Sequence, residues 1–94
     1  MNEGNVVARV DVLDAQSRFI TSAACVIDRQ SGTAVWSGVL TDVEPHAHLG
    51  SGRHRIRSRD GAEAVIIIQA RQRVGREERY PFIGEGPPPV LDRS

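Results

Sequence analysis

Cysteine is nearly missing: Cys25 is the single thiol in 94 residues. That excludes an intramolecular disulfide and leaves too few thiols for a zinc knuckle. Its neighbours Ala23, Ala24, Val26 and Ile27 mark it as a buried, inert side chain rather than a nucleophile. Lysine is absent altogether; the 12 basic residues are all arginine and are matched by 12 acidic ones. With no net charge, no global field draws the chain to nucleic acid or to a membrane surface. Aromatics amount to 4% (Phe19, Trp36, Tyr80, Phe82), few for the stacking platforms on which sheet proteins hold single strands. No apolar run approaches the ~18 residues of a membrane span. Met1 to Asn5 lacks the basic and apolar regions of a signal peptide. The expected location is the cytoplasm, or a particle assembled there.

What is present is alternation. Ala62 to Ala70 holds the densest β-branched run, Val65-Ile66-Ile67-Ile68, after the turn signal Asp60-Gly61. Such residues favour a pleated, half-buried surface. Ala64, Ile66 and Ile68 then share one apolar face of a central strand. Its hairpin partner is Arg53-His54-Arg55-Ile56-Arg57. A two-residue loop would turn Arg55 and Arg57 onto the apolar face, at a cost of several kcal/mol each, roughly. A three-residue loop, Arg59-Asp60-Gly61, instead pairs Ile56 with Ala64 and His54 with Ile66, and Arg57 with Glu63. The second register is expected, with Gly61 left-handed and an outer stripe of Arg53, Arg55, Arg57, Arg71 and Arg73.

Earlier in the chain, Asn5 to Leu13 and Phe19 to Asp28 alternate around a turn at Asp14 to Ser17, with Val6, Ala8, Val10 and Val12 expected inside and Val7, Arg9, Asp11 and Leu13 outside. A four-residue turn pairs Val12 with Phe19, Val10 with Thr21 and Ala8 with Ala23. A third strand is expected over Thr33 to Val43, with Cys25 opposite Trp36 and Trp36 as a core anchor. Asp42 to Gly52 reads as a crossing loop. Pro81 marks Tyr80 to Ile83 as an edge strand or extended arm, and Pro87-Pro88-Pro89 as polyproline-like chain. Neither repeats, heptads nor a helix emerge. About six short strands imply an all-β antiparallel sandwich, Ig-like or closer to a small barrel. The division is one β domain over residues 1–83 and a Pro/Gly-rich arm over residues 84–94.

Val10-Asp11-Val12, Ala24-Cys25-Val26, Ser31-Gly32, Thr41-Asp42 and Gly52-Arg53-His54-Arg55-Ile56 loosely resemble the layout of transthyretin-like bacterial surface modules. The resemblance spans about half the chain, lacks the aromatic usual after the last of those glycines, and carries no site residues with it.

Three function classes follow. Nothing resembles a nucleophile elbow, a phosphate-cradling glycine loop or a carboxylate pair in a cleft, so no enzyme and no cofactor are expected. Tyr80, Phe82, Ile83, Pro87, Pro88, Pro89, Val90 and Leu91 put apolar residues on a segment that cannot fold on itself. This points to a non-enzymatic structural or protein-interaction module with a contact arm, in a homo-oligomer or larger assembly. Arms of this kind suit repetitive assemblies, including virion shells and tails. Arg53, Arg55 and Arg57 form a secondary interface in that reading. A second class, metal binding, rests on His46, His48 and His54, since residues two apart on a strand project to one face. A third is phosphate or nucleic-acid binding by the arginine stripe, against which nearby carboxylates stand ready to neutralise it.

Overall fold

The computed structural model describes residues 5–28, 36–44, 46–47 and 49–86. These residues contain seven strands: β1 (Asn5–Leu13), β2 (Phe19–Asp28), β3 (Ser37–Thr41), β4 (Gly52–Arg57), β5 (Glu63–Ile68), β6 (Gln72–Val74) and β7 (Glu77–Glu85). All pairings are antiparallel, in the order β3-β2-β1-β4-β5-β7, and β3 also pairs with β7. That last pairing closes six strands into a barrel. A two-sheet sandwich, which the strand count also allowed, is therefore not how the chain is joined. The ring is loosest between β1 and β4, which pair only over Asp11 to Leu13, so Asn5–Val10 of β1 pairs on the β2 side alone among the described residues. β6 is the addition, pairing with the first residues of β7.

Side chains fill the interior, as expected of so narrow a barrel. Val10, Val12, Ala23, Cys25, Ile27, Trp36, Leu40, Ile56, Ile66, Ile68, Tyr80 and Phe82 are buried. The β4–β5 register matches the expectation pair for pair, His54 with Ile66 and Ile56 with Ala64 included. Gly61 has φ 92°, and its N–H donates to Ser58 O at 3.1 Å.

The β1–β2 pair keeps its expected faces but is offset by two residues: Val10 meets Ala23 and Ala8 meets Cys25. The cause is local. The Asp14 carboxylate accepts from the N–H groups of Gln16 and Arg18 at 2.9 and 2.8 Å, which holds Arg18 in the loop. The register also shifts between Val12 and Leu13. The two slips preserve parity for the rest of the strand and overturn it at the end. Phe19, expected inside, is 57% exposed, whereas Leu13, expected outside, is fully buried. In β3, Cys25 faces Leu40 rather than Trp36; Trp36 precedes the strand, and residues 33–35 lie outside the described ones.

The larger correction concerns Tyr80 to Ile83. Instead of an edge or an arm, these residues sit in the middle of β7 and close the barrel. Gly84 N–H donates to Trp36 O at 2.7 Å and Gln69 N–H to Pro81 O at 2.8 Å. Even-numbered residues of β7 thus turn their backbone toward β3 and odd-numbered ones toward β5 and β6. The Pro81 nitrogen lies on the Gln69 side, just past the end of β5, so its missing N–H leaves that pair with one backbone bond instead of two at a point where the β5 ladder ends.

Two glycines make the closure possible. Phe82 lies opposite Gly38, and a methyl on Gly38 would overlap both Val26 O and the Phe82 ring. A methyl on Gly84 would overlap the Trp36 indole. The two rings meet edge to face at 5.9 Å, and Trp36 Nε1–H donates to Gly86 O at 2.9 Å. The bare backbone of β3 at Gly38 seats Phe82 of β7, and that of β7 at Gly84 seats Trp36, which immediately precedes β3.

Candidate protein-contact face

Alternation around a closed barrel makes a second surface, the outer one, and the register decides what meets on it. On β4 the outer residues are Arg53, Arg55 and Arg57. Each has a carboxylate partner on another strand: Arg53 with Glu85 of β7, across β5, at 3.2 Å, Arg55 with Glu63 of β5 at 3.7 Å and Arg57 with Asp11 of β1 at 3.5 Å. Arg71 likewise approaches Glu78 at 3.8 Å. The stripe foreseen in the sequence exists on β4, and it is self-neutralised.

On the other side, Val7 pairs with Val26, Val26 with Val39 and Val39 with Pro81. Four apolar side chains from β1, β2, β3 and β7 stand in one cross-strand row on the outside. Ile83 and Ile67, opposite each other, extend it around β7 and β5. Val7 is 51% and Ile83 43% exposed; Val26, Val39, Pro81 and Ile67 are half-buried. Each strand contributes only one or two of these residues, so no local run of sequence announces the row. A partial signal was available in the outward Val7 of the first strand.

The other candidate residues are dispersed. Tyr80 and Phe82 are 2% and 1% exposed within their own chain, which removes both from the contact arm. The Tyr80 hydroxyl donates to Glu78 at 3.1 Å; burial, with the Glu78 carboxylate adding to it, pushes its pKa above 10.0. Gly84 and Glu85, expected in the arm, belong to β7 instead. Pro87, Pro88, Pro89, Val90 and Leu91 lie outside the described residues. Of the histidines, His46 is exposed in the loop after β3, whereas His54 is buried with Nδ1 3.1 Å from Gly52 O. His48 lies outside the described residues, and among those described no group of three His, Cys, Asp or Glu could hold a metal ion.

An open cleft of about 520 Å³ is lined by Asp42, Val43, Glu44, Arg76, Glu77 and Glu78. Its acids are largely committed: Asp42 to Arg9, Glu77 to Arg79 and Glu78 to Arg71. Cys25 is fully buried and its pKa is pushed up to about 12 by that burial, so the thiolate needed of a nucleophile is not populated near neutrality.

Comparison with known proteins finds no match: no family model, curated protein or solved structure is significantly similar to this chain.

Proposed function

We propose that this chain is a non-enzymatic structural or protein-interaction β module, a subunit of a homo-oligomer or larger assembly, and that the outer row on β1, β2, β3 and β7 is its contact face. The observation that carries this reading is the register itself: Val7, Val26, Val39 and Pro81 are aligned across four strands. Isolated apolar residues on a surface need no explanation, but a contiguous set marks a place where another surface fits. The arginine stripe supports a lesser, rim-like role, because its charges already have partners on the same chain. The segment after Gly86 is an extended, proline-rich contact arm in this reading, shorter at its start than the sequence implied.

Light scattering on the native chain tests it. The expected mass is a multiple of 10.3 kDa, falling toward the single-chain value on dilution, with Val39→Glu shifting the protein to that value at every concentration. A native chain that stays at the single-chain mass removes the homo-oligomer reading.

A further inference from the structure

We infer that the outer row receives Pro87-Pro88-Pro89-Val90-Leu91 of a second copy, laid on the face of the sheet. This deepens the assembly reading and rests on it. The arm's composition directs it to a face rather than to an edge. Among the described residues, open edges exist on β6 and on Asn5–Val10 of β1, which meets β4 only over Asp11 to Leu13. Three consecutive prolines, however, lack the N–H groups that strand addition needs. An extended proline segment instead presents apolar rings to an apolar surface without hydrogen-bonding along it.

Lengths match. The row crosses three inter-strand gaps of ~4.8 Å, about 14 Å in all. Five residues of polyproline-like chain span about 15 Å at ~3.1 Å each.

The same arithmetic assigns the arm to another copy. Within one chain, Gly86 is five residues beyond Pro81 along β7, a distance of about 17 Å at ~3.3 Å per residue. Doubling back from Gly86 would use all of Pro87 to Leu91 merely to arrive at Pro81, leaving Val39, Val26 and Val7 uncovered. A second copy has no such constraint. Nor do a few row residues match the ~20–30 residues per side of a stable interface. Two reciprocally exchanged arms double the contact and bring the β7 ends of both copies into it.

The test uses full-length chains. Val90→Asp/Leu91→Asp damages the arm; Val39→Glu damages the row, and Val7→Glu, at a more exposed position, is the second row variant in case Val39→Glu fails to fold. Each variant alone is expected to weaken self-association by about 30-fold or more, as when an anchor residue is lost. A mixture of the arm variant with a row variant, one of them mass-tagged, should form the mixed dimer in preference to either variant's own dimer, because only there does an intact arm meet an intact row. If the arm variant keeps the native mass, the row is filled by something other than the arm; the docking inference falls while the assembly reading stands. If both variants dissociate but their mixture forms no mixed dimer, exchange between copies is wrong. If the native chain is monomeric, the assembly reading itself fails.

Discussion

The outer surface of β4 and the outer surface of β1, β2, β3 and β7 are built by the same rule, every second residue of a strand turned to water, and they come out opposite. One carries Arg53, Arg55 and Arg57, conspicuous in the sequence and each facing a carboxylate across a strand boundary. The other carries Val7, Val26, Val39 and Pro81, which nothing in the linear sequence draws together. A charge pattern along one strand is easy to see and is readily neutralised by its neighbours. An apolar row assembled across four strands has no such remedy among the described residues.

That contrast can be broken at several levels. The largest effect is expected at the seam that places both surfaces. Gly84→Ala puts a methyl into the Trp36 indole; overpacking of this kind costs roughly 1–3 kcal/mol, occasionally more, and chemical denaturation should show a lower midpoint with Gly38→Ala behaving alike. Unchanged midpoints for both would mean the β3–β7 closure is not as tight as described. Next comes Val39→Glu, expected to abolish association while changing the stability of the monomer by no more than about 1 kcal/mol, the range of exposed-face strand substitutions. Association that survives it places the contact elsewhere.

Arg55→Gln should do little. Arg55 and Glu63 are 42% and 37% exposed, and exposed pairs are worth about 0–1 kcal/mol. Neither association nor melting should move appreciably, and a loss of association would reverse the assignment of the two faces.

The smallest effects come with pH. The Ser58 hydroxyl and the Ala62 N–H hold the Asp60 carboxyl below its ordinary 3.8; the Arg18 N–H foremost does the same for Asp14. Both pKa values are lower in the folded chain, so their stabilisation is fully present above about pH 3.8 and is lost as pH falls through the folded values. Tyr80 has the opposite sign. Its raised pKa favours the neutral phenol in the fold, so that contribution is complete below pH 10.0 and disappears as pH rises through the folded value. Amide exchange in the two turns at acid pH, and the tyrosine absorbance at alkaline pH, follow these directions separately.

How much of this was legible in the chain depended on whether a wrong register carried a large cost. For β4 and β5 it did, because a slip of one residue would have buried Arg55 and Arg57; the pairing could be read outright. For β1 and β2 a slip of two residues keeps the same side chains inside, so the faces were readable but the partners were not. The Asp14 turn and the shift at Val12 decided them. Pro81 misled because a proline normally marks an edge, whereas here it stands inside β7 just past the end of the β5 ladder, where only one backbone bond is forgone. The β3–β7 pairing, set by Gly38 and Gly84 beneath two aromatic rings, joins residues forty or more positions apart. The outer row inherits that difficulty, since it exists only once β3 and β7 are side by side.

The most direct measurement is the exposure of the valine methyl groups in the native particle, read by NMR with a soluble paramagnetic probe. Val7 and Val74 have the same solvent exposure on the single chain, 51% each. With the row as a contact face, Val7, Val26 and Val39 are shielded from the probe while Val74, at the tip of the β6–β7 hairpin, is fully quenched. Equal quenching of Val7 and Val74 at concentrations where the protein is associated would contradict it.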